Sequence, residues 1–166
     1  RAVMRSAMLK QNIMDAGVPD VQQVWCHETG GSRMLHGVSI KQRYPGHSRQ
    51  AGQIAAQCRA AAYASKYVIV VDDDVDVTRL DQLIWAMCVR SDPKQSIDFI
   101  TGAWDSPADP MLTPHQRAVG DMTHSVAIID ACRPFHWIDQ FPMSNAASPE
   151  VLAKAEDKFG YLMKGR

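Results

Sequence analysis

The chain has 166 residues with 18 basic and 18 acidic side chains, so its formal net charge is zero. This balance gives no electrostatic basis for binding nucleic acid or an anionic membrane surface, and no apolar run approaches membrane-spanning length. The length suits one domain, residues 1–166, whose core needs no disulfides. Four widely spaced cysteines without a CxxC pair are typical of buried thiols in a reducing cytoplasm.

The first part of the chain predicts a helix followed by a hairpin. Residues 1–16 are rich in helix formers, and Gly17 ends the predicted helix. Val21–His27 and Met34–Lys41 are predicted strands, and the short glycine-rich turn between them, residues 28–32, favours antiparallel pairing.

A cluster of basic side chains lies between the second strand and the next predicted helix, which begins near His47. Unpaired backbone N–H groups and the helix dipole favour an anion at such a position, and phosphate is the usual ligand. A solvated basic loop is the alternative. The cluster consists of Lys41, Arg43, His47 and Arg49. The helix then presents a face of small apolar residues, which are Ala51, Ile54, Ala55, Cys58, Ala61 and Ala62.

The central stretch predicts a strand, an acidic turn and a helix. Tyr67–Val71 is a β-branched apolar run, which is typical of a strand buried on both faces. Beyond the acidic turn, Thr78 and Asp81 have the spacing of a capping box, with Asp in place of the usual Glu. The helix that follows runs from Leu80 and closes at Arg90 to Pro93.

The acidic turn allows three interpretations. Its carboxylates are Asp72, Asp73, Asp74 and Asp76. They cap the following helix and remain in solvent, or they bind a divalent cation, as Asp-x-Asp does for manganese in many glycosyltransferases. The DDxxD motif of prenyl-diphosphate synthases also fits, but it needs a helix where the apolar run predicts a strand. The third interpretation comes from a family resemblance.

The remainder of the chain completes an α/β pattern. Ile97–Thr101 and Ser125–Ile129 are predicted strands, and residues 104–117, with three prolines, a surface loop. Residues 133–145 are predicted to be irregular. Ser148 and Pro149 then open a C-terminal helix with Leu152, Ala155, Phe159 and Met163 on one side. The predicted fold is a three-layer α/β sandwich, a mixed sheet flanked by helices, with a Pro-rich loop and a C-terminal helix.

No HExxH, GxSxG, P-loop or GxGxxG motif occurs, and the six histidines show no paired metal spacing. Four segments together do resemble the C-terminal domain of the UbiD family, the prenylated-flavin-dependent decarboxylases. The family pattern is Lys-Gln-(Arg)-Tyr-x-Gly-His, Asp-Asp-Asp-(Ile/Val)-Asp, Trp-Ala and Arg-x-Asp-Pro. This sequence supplies the four segments at Lys41–His47, Asp72–Asp76, Trp85-Ala86 and Arg90–Pro93. Family members are much longer, so residues 1–16 are expected to be a connecting helix.

The resemblance implies a cytoplasmic, homo-oligomeric carboxy-lyase that acts on a small aromatic or α,β-unsaturated carboxylic acid. In the family, the catalytic Glu-Arg-Glu set, the ligands of manganese or magnesium and of potassium, and most of the prenylated FMN pocket lie upstream of this domain. No catalytic residue and no metal ligand are therefore expected here. The segment is expected to close the active site and build the oligomer, and to be inactive and cofactor-free alone.

The resemblance also implies roles for particular residues. Lys41 corresponds to the lysine that points at the cofactor phosphate, in agreement with the anion site predicted above. Ser106 and Ala108 correspond to a substrate-facing loop, where their small size leaves room for a hydroxylated or larger aromatic acid. The aspartates of the acidic turn then become structural. A non-catalytic binding or assembly module with the same fold and a manganese-dependent glycosyltransferase fragment remain as alternatives.

Overall fold

A computed structural model describes residues 2–143 and 147–162. The strands are β1 (Val21–Cys26), β2 (Leu35–Ile40), β3 (Tyr67–Asp72), β4 (Ile97–Trp104) and β5 (Thr123–Ala131). The α-helices are α1 (Ala2–Asp15), α2 (His47–Gln57), α3 (Leu80–Arg90), α4 (Pro114–Val119) and α5 (Pro149–Phe159). Short 3-10 helices cover Glu28–Gly30, Phe135–Gln140 and Gly160–Leu162. None of the described helices is long and apolar enough to cross a membrane.

The five strands form one mixed sheet in the order β1-β2-β3-β5-β4. The three inner strands are parallel, and the two outer strands pair antiparallel with their neighbours, which confirms the predicted hairpin. The register pairs Ile40 with Asp72 and Val71 with Ala131, so β2, β3 and β5 end together at what we call the carboxyl edge. At the amino edge, β4 ends where β5 begins, with Trp104 opposite Thr123.

The alternation of side chains along β3 divides the core into two layers. Val68 and Val70 face α1 and α2 in one core, while Ile69 and Val71 face α3 in the other. All four side chains are buried, as predicted for a central strand. The structure thus confirms the three-layer α/β sandwich with a mixed sheet between helices.

Helix α2 lies unusually close to the sheet at Gly52. A Cβ at this position would lie 2.4 Å from Cγ2 of Ile128 and 3.2 Å from Cγ2 of Val70. Ile128 is fully buried and branched at Cβ, so it has little freedom to move aside. Only glycine therefore permits this approach of helix and sheet.

The predicted helix at His47 is shorter than its apolar face suggested. Helix α2 ends at Gln57, because Cys58 adopts an extended backbone. Ala61 and Ala62 therefore lie in turns beyond the helix, although Ala61 is still buried against the core. Small apolar residues indicated burial correctly here, but their spacing did not indicate where the helix stops.

The predicted capping box before α3 is wrong. The residue that precedes α3 is Arg79, which makes no side-chain cap. The Thr78 hydroxyl instead donates to Asp76 Oδ1 at 2.7 Å, and Asp81 pairs with Arg79 at 2.7 Å. These side chains thus bond to neighbours within the turn rather than to the free N–H groups of the helix.

The predicted surface loop at residues 104–117 contains a helix that sequence reasoning missed. Strand β4 runs on to Trp104, and Pro114 opens the short helix α4. Thr113 and Gln116 form a capping box there, with the Thr113 hydroxyl accepting from the Gln116 N–H. A Thr-Pro-x-Gln pattern was the available signal.

Two other predictions concern the cysteines and the C-terminal helix. All four cysteines are free, but Cys88 is exposed rather than buried. Helix α5 begins as predicted, with the Ser148 hydroxyl accepting from the Val151 N–H and proline at the first turn. Its side chains are exposed. Met163, which the predicted helix included, and Asn145 lie outside the described residues.

We predict that Gly52→Ala lowers the free energy of unfolding by up to about 2 kcal/mol. Overpacking a buried contact costs about 1–3 kcal/mol, and the better helix propensity of alanine offsets about 1 kcal/mol of that cost. Urea unfolding followed by circular dichroism measures the change. Gln53→Ala, at the exposed neighbouring position, is the control and should stay within about 0.5 kcal/mol of wild type. A more stable Gly52→Ala protein would contradict the close helix–sheet contact.

Candidate functional site at the carboxyl edge

The carboxyl edge is organised around Asp72, the last residue of β3. Its carboxylate is only 1% exposed. Asp72 Oδ1 accepts from the Gln42 side chain at 2.7 Å, and Oδ2 accepts from the Arg133 backbone N–H at 2.8 Å and from Arg133 Nε at 3.0 Å. A buried charge is tolerated only when it is paired and hydrogen-bonded, and these contacts meet that requirement.

The contacts of Asp72 join three strands and a helix. Gln42 follows β2, Arg133 follows β5, and Gln42 also donates to the Arg133 carbonyl at 2.8 Å. Arg90, the last residue of α3, reaches Asp72 Oδ2 at 3.3 Å. We call Gln42, Asp72, Arg90 and Arg133 the Asp72 network, and it fixes the relative positions of the chain segments that leave this edge.

Asp74 extends this network towards solvent. Arg90 makes two hydrogen bonds to its carboxylate, at 2.8 and 2.6 Å, and its guanidinium lies 5.1 Å from the centre of the Trp85 ring. The hydrogen bonds from Arg90 lower the pKa of Asp74, and the same bonds raise the pKa of Arg90. Arginines therefore neutralise two of the four aspartates in the acidic turn, which supports the structural interpretation of this turn.

The structure separates the basic cluster that the sequence predicted. Arg43 pairs with Asp20 at 2.6 Å, and Arg49 pairs with Asp98. His47 is fully buried, with Nε2 3.1 Å from the Pro19 carbonyl, and burial lowers its pKa. Three of the four predicted cationic groups thus have partners within the protein.

Lys41 is the remaining member of the cluster. Its backbone N–H donates to the Asp20 carbonyl at 3.0 Å, which fixes the main chain just after β2. Its side chain is exposed and makes no ion pair within residues 2–143 and 147–162. The cap residue before α2 is Gly46, whose φ of 84° places it in the left-handed region and which provides no side-chain cap.

A cleft of about 590 Å³ opens at the same edge, beside the start of α2. The cleft has an apolar wall of Phe135 and Trp137. Its charged lining is mixed, and consists of Arg49, Arg90, Arg133, Asp92 and Asp130. Lys41 does not line this cleft. Because the arginines are paired with aspartates, the uncapped start of α2 is the part of the cleft that suits an anionic group, and the aromatic rings suit an aromatic one.

Ser106 and Ala108 lie at the opposite edge of the sheet. They follow β4, which ends beside the start of β5, so they are at least roughly 15–20 Å from the carboxyl edge at about 3.3 Å per strand residue. The Ser106 hydroxyl accepts from Tyr63 at 3.0 Å and from the Ala108 N–H at 3.2 Å, while Ala108 is exposed. The structure does not bring them together with Lys41.

The architecture defines an α/β domain with an anion-compatible carboxyl edge. Residues 1–131 match the 3-octaprenyl-4-hydroxybenzoate carboxy-lyase C-terminal domain. The chain therefore belongs to the UbiD family, as the sequence resemblance indicated.

Solved structures agree with this assignment. The chain is 27% identical to the 3,4-dihydroxybenzoic acid decarboxylase AroY from Klebsiella pneumoniae, with a TM-score of 0.75 over 93% of this chain and 32% of that one. It is 23% identical to the UbiD-class enzyme HmfF from Pelotomaculum thermopropionicum, solved in complex with FMN, with a TM-score of 0.75 over 90% of this chain and 32% of that one, which shows the shared fold.

A relative from Aeropyrum pernix, described as an uncharacterized protein, is 29% identical over 146 residues. That match covers 86% of this chain and 28% of the relative. The chain thus spans about a third or less of the length of the proteins it resembles.

We predict that Asp72→Asn lowers the free energy of unfolding by about 3–5 kcal/mol. The change removes the only anion paired with the partly exposed Arg133 among the described residues and one of the two paired with the buried Arg90, and breaking a buried ion pair costs about this much. Asp73→Asn removes the same charge from the exposed neighbour and should change stability by less than about 0.5 kcal/mol. Urea titrations of both variants measure the difference. Equal small effects would show that the Asp72 network does not hold the carboxyl edge.

Proposed function

We propose that this chain is the C-terminal part of a longer UbiD-like enzyme that removes carbon dioxide from a small aromatic or α,β-unsaturated carboxylic acid. The family match over residues 1–131 carries the proposal. The likeness to AroY, a 3,4-dihydroxybenzoic acid decarboxylase, supports an aromatic substrate. The chain spans about a third of such a protein. On the basis of the family resemblance, we place the catalytic groups and the ligands of the manganese or magnesium and potassium ions in the remaining part.

The proposed cofactor is prenylated FMN, which when bound supplies the electron-accepting chemistry for loss of carbon dioxide. The residues at the carboxyl edge fit a flavin phosphate. Lys41 is exposed there without an ion-pair partner among the described residues, and α2 starts at a glycine that provides no side-chain cap. In the longer enzyme, Lys41 would hold the phosphate by a charge-assisted hydrogen bond.

We propose Ser106 and Ala108 as substrate-facing residues on the basis of the family resemblance alone. Because Ser106 and Ala108 lie at the amino edge and Lys41 lies at the carboxyl edge, they do not share a pocket within one chain. The internal hydrogen bonds of the Ser106 hydroxyl use its acceptor capacity, so towards a substrate it is available as a donor.

Closure of the active site and assembly of a homo-oligomer are the proposed structural roles of the domain. Helix α5 supports the second role, because several of its large apolar side chains are about half exposed, among them Val151, Leu152 and Phe159. Free thiols at all four cysteines suit the proposed cytoplasmic location.

A non-catalytic binding or assembly module is the second candidate, since the fold alone does not prove activity. It is distinguished from the enzyme by the assay described below. Two observations argue against a glycosyltransferase. The chain matches the carboxy-lyase C-terminal domain, and arginine pairs with Asp72 and Asp74, which a manganese ion would need as ligands.

We expect a full-length protein that contains this chain, reconstituted with prenylated FMN, to release carbon dioxide from an aromatic acid such as 3,4-dihydroxybenzoate. The 166-residue chain alone should release none above the buffer rate, because the proposed catalytic groups are in the rest of the protein. Carbon dioxide release over a panel of aromatic and unsaturated acids measures both. Release by the chain alone would contradict the proposed division of roles, and no release by the reconstituted full-length protein would favour the binding module.

We further expect Lys41→Met to weaken flavin binding by the full-length protein by roughly one to two orders of magnitude. A charge-assisted hydrogen bond contributes about 1.5–3 kcal/mol, and methionine keeps the apolar stem without the charge. Lys94→Met is the matched control, since Lys94 is another exposed lysine, in the turn between α3 and β4. Flavin titration followed by fluorescence gives the dissociation constants. Equal binding by wild type and both variants would place the phosphate elsewhere.

A further inference from the structure

Three potential metal ligands converge at the amino edge, away from the Asp72 network. Asp105 directly follows β4, Asp109 lies in the turn beyond it, and His124 is the second residue of β5. The register of the two strands pairs Ala103 with His124, which brings the imidazole beside Asp105. One ligand atom from each of the three residues lies within 4.8 Å of the others.

The imidazole of His124 is the unusual member of this group. Its side chain is only 8% exposed, and neither ring nitrogen has a hydrogen-bond partner among residues 2–143 and 147–162. Its Nδ1 lies 3.5 Å from Asp105 Oδ2, beyond good hydrogen-bond range for these atoms. A buried polar group without a partner is costly, so this side chain points to a ligand that the protein atoms do not supply.

The two carboxylates are held with one oxygen each towards His124. Asp105 Oδ1 accepts from the Ser106 N–H at 2.7 Å, and Asp109 Oδ1 accepts from the Met111 N–H at 3.0 Å. Asp105 Oδ2 is left without a hydrogen bond, and Asp109 Oδ2 lies 2.5 Å from Lys66 Nζ. Backbone donors that orient ligand carboxylates in this way are a usual feature of metal sites.

The charge of the group is also unbalanced. Asp105 and Asp109 are each 1% exposed, and Lys66 is in contact with Asp109. Two buried carboxylates with one ammonium group in contact leave one negative charge without a counterion among the described residues, and a bound cation would supply it.

We propose that Asp105, Asp109 and His124 bind a divalent transition-metal ion, of the class of Zn²⁺ or Mn²⁺. Two carboxylate oxygens and one imidazole nitrogen suit these ions, and three protein ligands leave at least one coordination position for water or a second ligand. A cavity of about 370 Å³ borders all three residues and gives access from solvent. The bound ion ties the start of β5 to the turn that follows β4.

Lys66 competes with the proposed ion for Asp109. Its ammonium contacts the same Asp109 oxygen that the ion would use, and the side chain, 17% exposed, also borders the cavity. Metal binding therefore displaces the ammonium from Asp109. Removal of its positive charge strengthens binding of the ion, because two like charges no longer compete for one carboxylate.

The test uses the 166-residue chain, stripped with a chelator and titrated with Zn²⁺, with Mg²⁺ as a comparison. We expect one Zn²⁺ per chain by calorimetry and a rise in melting temperature of about 5–10 °C at a 100-fold excess over the dissociation constant. His124→Gln and Asp105→Asn should abolish the rise. Lys66→Met should lower the dissociation constant about tenfold or more.

His115→Ala removes an exposed histidine of the nearby helix α4 and is the matched control, which should bind as wild type does. If the variants at the site do not fold, X-ray absorption at the zinc edge of the loaded wild type decides, with one imidazole and otherwise oxygen ligands expected. Any of three results would overturn the proposal. They are the absence of stoichiometric Zn²⁺ binding, a rise in the melting temperature of His124→Gln equal to that of wild type, and a thiolate or second imidazole among the ligands of the ion.

Discussion

The buried carboxylate of Asp72 is the constraint on which the carboxyl edge depends. A central strand that ends in a charged residue leaves that charge inside the protein, where it is unstable without partners. The structure supplies partners from the segments after β2 and β5 and from the end of α3. The contacts that neutralise Asp72 are thus the same contacts that hold the segments of the edge together.

This constraint also determines which cations remain for an external ligand. Arg90 and Arg133 are committed to the Asp72 network, and Arg43 and Arg49 pair with other aspartates. Lys41 is held in place through its backbone, while its side chain stays exposed. A lysine on a rigid main chain, presented at an edge that internal ion pairs have fixed, is suited to bind a phosphate without reorganisation of the protein.

The sequence indicated the elements whose signals are local. Tyr67–Val71 was identified by its apolar run, the first hairpin by its turn, and the family by four short segments spread over Lys41–Pro93. The family pattern also pointed to the acidic turn as structural, and the arginines on Asp72 and Asp74 support that interpretation.

The features that the sequence did not reveal depend on residues far apart in the chain. Arg133 lies 61 positions from Asp72, and nothing local marks it as a partner. The convergence of Asp105 and His124 follows from the pairing of β4 with β5, across a segment that local patterns described as a loop. The opposite locations of Lys41 and Ser106 likewise follow from strand order and direction, which a motif does not contain.

We propose that the edge fixed by Asp72 presents Lys41 to a flavin phosphate in a longer decarboxylase. An experimental structure of the full-length protein with its flavin bound tests this claim most directly, through the distance from Lys41 Nζ to the nearest phosphate oxygen. We expect this distance to be about 2.7–2.9 Å, the length of a charge-assisted hydrogen bond. A phosphate held entirely by other residues, with Lys41 in solvent, would contradict it.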